Sequence, residues 1–184
     1  MTRSQALELL SKHISNQNLI RHNLAVGFIM QALAEKFGEK QEDWELAGML
    51  HDLDWEKTKD DPSQHTIVSK QILEQTDLKP AIINAIYVHN HTHRLTPETL
   101  LEKTLYCVEE LSGLITAAAL VQPDKKLASV LVESVLKKFK QKSFAAGVNR
   151  EIIMLCKEFI NMDLPELVEI ALNAMKQNAE EIGL

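Results

Sequence analysis

The sequence has little of what a secreted or membrane-inserted protein needs. It contains two cysteines among 184 residues, Cys107 and Cys156, which lie far apart and in no CxxC pattern, so a disulfide framework is excluded. The first residues lack the apolar segment and cleavage site of a signal peptide, and no apolar run reaches membrane-spanning length. We therefore expect a cytoplasmic protein that does not enter a membrane.

An excess of positive charge is also absent. The formal net charge is −6, while hydrophobic residues make up 45% and charged residues 25% of the chain, an ordinary soluble balance. A negative chain supplies no long-range attraction for nucleic acid or anionic membranes, so no nucleic-acid partner is expected. A small anionic substrate is compatible with this charge, because a metal ion and a few local cations reverse the potential inside one cleft.

Alternating strand patterns are missing too, and nearly every segment has helical period. The sequence predicts an all-α fold: a single helical bundle over residues 1–184, with a core at about 18–122 and a C-terminal helical extension at about 123–184. Residues 54–63 are predicted to form a flexible loop, and residues 143–149 a turn. The predicted helices are 3–12, 18–37, 42–51, 64–75, 80–89, 97–120, 125–139, 150–159 and 162–182.

A His–Asp pair at the end of a predicted helix points to metal chemistry. His51 and Asp52 follow the apolar run LAGML. A catalytic metal takes imidazole nitrogens and carboxylate oxygens and keeps one position open for water. Adjacent helical residues point about 100° apart, so both side chains reach one ion only where the helix ends or bends. The loop that begins at Leu53 supplies such an end.

Further histidines lie on the apolar faces of three separate predicted helices: His22, His65 and His89. One buried histidine is more often a hydrogen-bonded core residue than a ligand. Several that converge on one core with an aspartate are hard to explain in that way, because each needs its own buried partner. One shared metal site would satisfy them together. The remaining histidines lie in a polar loop or on an exposed helix and are not expected to bind metal: His13, His91 and His93.

These motifs resemble the HD superfamily of metal-dependent phosphohydrolases, whose order is H…HD…D, often with further histidines before the last aspartate. The matching segments are LIRHNLAV, LAGMLHDLDWE, DPSQHTIV and IYVHN, within a resemblance from about Leu19 to Lys176. The segments LYCVEELSGLITAAAL and KKFKQKSFAAGVNRE are similar to a subgroup of small stand-alone HD proteins. The resemblance implies an HD-type helical fold and hydrolysis of a phosphate ester by a metal-activated water.

The resemblance also implies roles for individual residues. The implied first-ion ligands are His22, His51, Asp52 and Glu109. Glu109 stands where the family has an aspartate, and helical periodicity alone does not choose between it and Glu110. His65 and His89 are expected to bind a second ion or to orient the substrate phosphate.

Three more residues are interpreted from their position in the chain. Asp54 follows the His–Asp pair and is expected to act as a base beside the site. Lys142 and Arg150 flank the small-residue turn SFAAGVN, where Arg150 would clamp a phosphate with the help of backbone N–H groups. The alternative is a helix connection in which Arg150 pairs with a carboxylate.

The mixed nitrogen and oxygen donors favour Mn, Fe, Co, Ni or Zn over Ca, with one or two ions, and Mg is kept as an alternative. The expected partner is a small phosphorylated substrate such as a nucleotide, and a symmetric dinucleoside-polyphosphate hydrolase is one candidate by analogy. Two other functions stay open: an HD-fold di-iron oxygenase, and a module that binds a metal or nucleotide without turnover. The sequence gives no clear signal for an oligomer.

Overall fold

The computed structural model describes residues 1–184 and contains helices but no strands, which confirms the all-α prediction. Short 3-10 turns at His91–His93 and Leu127–Ser129 connect some of the helices. None of the helices combines the length and apolar character needed to span a bilayer. The helices are α1 (Arg3–His13), α2 (Gln17–Phe37), α3 (Gln41–Leu50), α4 (Trp55–Thr58), α5 (Ile67–Leu73), α6 (Pro80–Val88), α7 (Leu100–Leu120), α8 (Val132–Phe139), α9 (Arg150–Met154), α10 (Cys156–Ile160) and α11 (Leu164–Gln177).

Several predicted boundaries are wrong because local side chains end or delay a helix. The helix predicted from residue 125 begins only at Val132, since the Asp124 carboxylate accepts hydrogen bonds from the Lys126 N–H and the Ser129 hydroxyl. Such side-chain bonds compete with helical backbone bonds. The predicted loop 54–63 contains the single turn α4, and the helix predicted over 150–159 is broken at Leu155.

Four helices form a ring of pairwise contacts: α2 packs on α3 and α7, and α6 packs on α3 and α7. The tightest of these contacts brings two glycines together. A Cβ atom built on Gly48 of α3 would lie 2.7 Å from the Cα and N atoms of Gly27 in α2. Only glycine allows the two backbones to approach so closely. This approach brings the helix that carries His22 against the end of the helix that precedes His51.

The apolar core runs through the whole chain, from Ala6 in α1 to Ile182 after α11. Helices α8, α9 and α10 pack on α7, while α11 packs on α2 and also on α7. The segment predicted as a C-terminal extension therefore shares one core with the four-helix ring. Within this segment, the turn at residues 143–149 lies beside α7, because the Asn149 N–H donates to Glu110, and Gly147 lines a cavity together with His65 and His89.

Candidate metal centre

Four histidines from four different segments meet around one carboxylate. His22 lies in α2, and His51 caps the end of α3, directly before Asp52. His65 lies in the segment before α5, and His89 caps the end of α6. The structure therefore brings together the five side chains that the sequence singled out. All but His22 are nearly inaccessible to solvent.

The two carboxylate oxygens of Asp52 face two different pairs of imidazoles. The Nε2 atoms of His22 and His51 each lie 3.7 Å from Asp52 Oδ2. On the other side, the Nε2 atom of His65 lies 3.3 Å and that of His89 3.8 Å from Asp52 Oδ1. The arrangement forms two groups of three possible ligands that share Asp52, and within each group the ligand atoms lie within 4.8 Å of one another.

Backbone carbonyls fix the orientation of two of these rings. The Nδ1–H group of His51 donates to the Gly48 carbonyl over 2.7 Å, and that of His89 donates to the Ile86 carbonyl over 2.6 Å. Both carbonyls lie three residues upstream, at the end of the helix that the histidine caps. A proton on Nδ1 leaves the lone pair on Nε2, the atom that faces Asp52, which is the tautomer a metal ligand needs.

Side chains fix the other two rings in the same way. The Ser112 hydroxyl donates its one proton to the Glu109 carbonyl over 2.9 Å, so it accepts from His22 Nδ1 at 3.0 Å. The Nδ1 atom of His65 lies 2.8 Å from Asp54 Oδ1 and donates to it. Asp54 is fully buried and orients His65 through this bond. It does not contact solvent, as a base that takes a proton directly from water would.

The donor set therefore fits a bound cation. With both Nδ1 atoms protonated, the Nε2 lone pairs of His22 and His51 point at each other across 3.2 Å, with an oxygen of Asp52 beside them. Three lone pairs that converge on one point repel one another unless a proton or a metal ion lies between them. Imidazole nitrogens and a shared carboxylate are the donors that transition metals and zinc take in hydrolytic sites.

The electrostatics of the cluster agree with this geometry. Burial lowers the pKa of His22, lowers the pKa of His51 to about 4, and lowers the pKa of His89 well below its usual value. Burial alone would raise the pKa of Asp52, but His51, His65 and His22 together lower it. Burial opposes the protonation of His65, yet its hydrogen bonds to Asp52 and Asp54 raise its pKa to about 9. An ion that binds His65 must therefore displace a proton.

The two glutamates of α7 differ in their contacts. Both line a cavity of about 430 Å³ together with Asp52, His65 and His89. The Glu110 carboxylate accepts a hydrogen bond from the Asn149 N–H over 3.0 Å. Burial and the charges of Asp52 and Glu110 raise the pKa of Glu109 well above its usual value. Glu109 lies outside the two close ligand groups, and a cation in the cavity would relieve the repulsion on it.

Of the predicted phosphate-binding pair, Arg150 has partners within the protein and Lys142 has none. The Arg150 guanidinium donates to five backbone carbonyls in the turn and the residues before it, and it pairs with no carboxylate. Lys142 is exposed, and neither residue lines the cavity, although Gly147 of the same turn does. Arg150 thus holds the turn in shape, and its N–H groups are engaged with carbonyls where the prediction had them bind a phosphate. The accepting carbonyls are those of Phe139, Gln141, Phe144, Ala145 and Val148.

Sequence reasoning missed residues that position the ligands. The sequence predicts that His93 is a loop residue without a role at the site, but its Nε2 atom lies 2.8 Å from the His65 carbonyl, to which it donates. Asn90 donates to the same carbonyl over 3.0 Å. These bonds hold a backbone in which Thr66 adopts the left-handed conformation, with φ at 71°. The Asn23 side chain accepts the Asp52 N–H over 3.3 Å. The sequence held one signal for these residues: they are polar and lie near a candidate ligand in the chain or on the same helix face.

Comparison with known proteins agrees with this architecture. The family model described as HD domain matches residues 19–118. Ribonuclease Y of Geobacter metallireducens is 26% identical over 98 residues, which cover 53% of this chain and 18% of that protein. Ribonuclease Y of Clostridium perfringens is 23% identical over 167 residues, 90% of this chain and 32% of that protein. Ribonuclease Y of Thermoanaerobacter pseudethanolicus is 25% identical over 171 residues, 90% of this chain and 33% of that protein.

The histidine and aspartate cluster on a helical ring is the arrangement of an HD domain, and the family match covers more than half of the chain. The chain belongs to the HD domain family. It spans at most about a third of the length of the curated relatives named above. No solved structure matches the chain.

Proposed function

We propose that this chain hydrolyses a phosphate ester of a nucleotide or another small molecule, with divalent ions held around Asp52. One observation carries the proposal: each carboxylate oxygen of Asp52 is faced by the Nε2 atoms of its own pair of histidines, at 3.3 to 3.8 Å. Two sites that share one carboxylate would place two cations next to each other. Such a pair suits a phosphate, because its oxygens take up two positive charges at once.

The residues divide between the two sites. His22, His51 and Asp52 would hold the first ion, and Asp52 with the remaining pair, His65 and His89, the second. Glu109 is proposed as an additional oxygen ligand, because Glu110 is engaged with the Asn149 N–H. Mn, Fe, Co, Ni and Zn suit this mixture of donors. A bound ion of this kind lowers the pKa of its water and polarises a phosphoryl oxygen.

The cavity itself makes the reaction depend on the ions. Its lining includes Asp52, Glu109 and Glu110 but no lysine or arginine. Acidic side chains disfavour a phosphate, so bound metal ions would favour its entry into the cavity. His65 is held in place by Asp54 on its ring and by His93 on its carbonyl, which fixes its Nε2 atom toward Asp52. A site that is rigid before substrate binds lowers the cost of orienting it.

The test compares metal-stripped protein with protein reloaded with Mn²⁺, Ni²⁺ or Fe²⁺ on a panel of phosphomonoesters, nucleotides and dinucleoside polyphosphates. We expect metal-dependent release of phosphate or nucleotide from at least one of them. Loss of a supporting partner of a metal ligand costs about 10- to 100-fold, so Asp52→Ala, which removes the shared ligand, should lower activity by more than about 100-fold. Asp60→Ala is the matched control, since Asp60 is an exposed aspartate in the following loop.

Three outcomes would contradict the proposal. An Asp52→Ala protein that kept its metal and its activity would show that the cluster is not the site. Binding of a panel compound without turnover under every metal would indicate a binding module, and oxygen consumption by the iron-loaded protein with substrate would indicate an oxygenase.

A phosphodiester of RNA is a second candidate substrate, and the similarity to proteins named Ribonuclease Y favours including it. The same two-ion arrangement serves a diester as well as a monoester. The net charge of −6 argues against strong binding of a long polyanion. Cleavage of a single-stranded RNA oligonucleotide by the reloaded protein, and its loss in Asp52→Ala, would decide for this substrate over the small esters.

A further inference from the structure

A second cavity adjoins the metal centre on the side of His22. It has a volume of about 450 Å³ and lies between one face of α2 and one face of α7, with residues 182–184 along its edge. His22 lines it, and the Nε2 atom of the same ring faces Asp52. His22 is thus a residue that this α2–α7 cavity shares with the proposed first ion site. The face of α2 contributes Arg21 and Ala25, and the face of α7 contributes Gly113, Thr116 and Leu120.

The two cavities differ in chemistry. The cavity beside Asp52 carries three acidic side chains and no lysine or arginine, whereas the α2–α7 cavity carries Arg21 and no acidic side chain. Arg21 forms no salt bridge or side-chain hydrogen bond with the rest of the protein, whereas Arg3 and Arg150 do. Its guanidinium lies against Gly183, where an added Cβ atom would be 2.7 Å from Cζ. The backbone of Gly183 thus supports the guanidinium at the cavity wall.

The lining combines a flat cation, apolar walls and a few polar groups. Ala25 and Leu120 supply apolar surface, and Leu120 is 52% exposed although it is a large hydrophobic residue. Thr116 and Asn18 offer a hydroxyl and an amide. Arginine stacks on aromatic rings through its planar guanidinium. A small number of polar groups in an otherwise apolar pocket fixes the orientation of a ligand. A planar heterocycle with hydrogen-bonding edges satisfies all three features.

We propose that the α2–α7 cavity is a nucleoside subsite, in which the base of a nucleotide substrate stacks on Arg21 while its phosphate reaches the Asp52 cluster past His22. The proposal rests on the proposed function and narrows its substrate class to nucleotides. A pocket of 300 to 1,000 Å³ typically takes a drug-sized ligand, and about 450 Å³ is far more than a bare phosphate needs. A sugar phosphate has no planar ring to stack on the Arg21 guanidinium or to cover the apolar surface of Ala25 and Leu120.

The first experiment measures binding without any chemistry. Metal-stripped protein is titrated with adenosine, guanosine, cytidine and uridine, and with ribose as the probe that lacks a base, while protein NMR signals are recorded. We expect saturable shifts with at least one nucleoside and none with ribose. Thr116→Phe, which fills the cavity, should abolish the shifts, and Arg21→Ala should weaken binding by about 5-fold because a partly exposed cation–π contact is lost. Lys12→Ala, at an exposed cation on α1, is the matched control and should bind like the unmodified protein.

The second experiment measures specificity. The Mn²⁺-loaded protein is assayed on the four nucleoside 5′-monophosphates and on ribose 5-phosphate, which carries the same phosphate without a base. We expect a preference in kcat/KM for at least one nucleotide and a fall of about 5-fold in that preference in Arg21→Ala. Arg21→Ala changes an exposed side chain, so it tests the proposal even if Thr116→Phe does not fold.

The outcomes separate this proposal from the proposed function. Hydrolysis of ribose 5-phosphate and nucleotides at equal rates, with no nucleoside binding, would overturn the subsite and leave the hydrolase intact. Nucleoside binding that is lost in Thr116→Phe, without turnover of any substrate, would support the subsite and overturn the hydrolase. An equal loss of ribose 5-phosphate and nucleotide turnover in Arg21→Ala would show that Arg21 binds an anion, which also overturns the subsite.

Discussion

Asp54 is expected to decide which nitrogen of His65 carries the proton. Its Oδ1 atom accepts from His65 Nδ1 at 2.8 Å, while Oδ2 accepts the backbone N–H groups of Thr66 at 2.9 Å and Ser69 at 2.8 Å. Asp54→Asn keeps the shape of the side chain but leaves one acceptor oxygen. The two backbone donors need that oxygen, so the amide NH₂ group turns toward His65. His65 then accepts at Nδ1 and carries its proton on Nε2, the atom that faces Asp52.

The size of the effect follows from this change of tautomer. Loss of the partner that orients a metal-binding histidine typically costs 10- to 100-fold in metal affinity, or about 1.4 to 2.7 kcal/mol. His22 and His51 take their orientation from Ser112 and Gly48 and not from Asp54. We therefore expect Asp54→Asn to weaken the ion at His65 and His89 and to leave the first ion bound.

Calorimetric titration with Mn²⁺ and metal analysis after dialysis against a weak chelator would measure this difference. Asp60→Asn makes the same chemical change at an exposed aspartate and serves as the control. Asp54→Ala is less informative, because it leaves the N–H groups of Thr66 and Ser69 unpaired in the interior, at about 1–3 kcal/mol each. Two ions bound by Asp54→Asn with the affinity of the unmodified protein would refute the reasoning.

Two further predictions concern stability. In the folded protein the pKa of His65 is raised to about 9, so protonated His65 stabilises the metal-free protein by about 3 kcal/mol. This stabilisation is complete below about pH 6.5 and is lost as the pH rises through 9. The pKa of His51 is lowered to about 4, so the neutral ring favours folding and that contribution is lost as pH falls from about 6.5 through 4. Urea unfolding of metal-free protein should show greatest stability near pH 6.5, and a flat profile up to pH 9.5 would contradict this. Gly48→Ala should lower stability by about 1–3 kcal/mol and weaken metal binding, because its Cβ would lie 2.7 Å from the Gly27 backbone and push α2 from α3. Gly147→Ala is the control for thermal unfolding, since a Cβ there meets nothing within 4 Å, and equal melting temperatures for the two variants would disprove the packing argument.

The sequence predicted the helices well where an apolar face determines them. Long segments such as α2 and α7 have an unbroken helical period, and the structure places them within three residues of the predicted ends. The prediction was poorer where one side chain redirects the backbone. Asp124 delays α8 through two hydrogen bonds, and Thr66 takes a left-handed conformation just before α5. A periodic pattern carries no information about such local contacts.

Arg150 shows a second limit of prediction from sequence, which concerns side-chain contacts. Its position beside a small-residue turn suggests an anion site, yet its guanidinium donates to three carbonyls of that same turn. Which way a long side chain turns depends on where acceptors lie after folding. His93 shows the same effect, because only the fold places it against the carbonyl of His65.

By itself, the sequence determined that the chain is helical and that histidines from separate helices would face one core beside a His–Asp pair, because burial follows the periodicity of apolar residues. Only the tertiary structure decided how that pair is used. It divided the four histidines between the two oxygens of Asp52, and it set each tautomer through partners such as Ser112 and Asp54. It also engaged Glu110 with the Asn149 N–H and so distinguished it from Glu109. Distances of a few ångströms between residues far apart in the chain control these choices, and no local pattern records them.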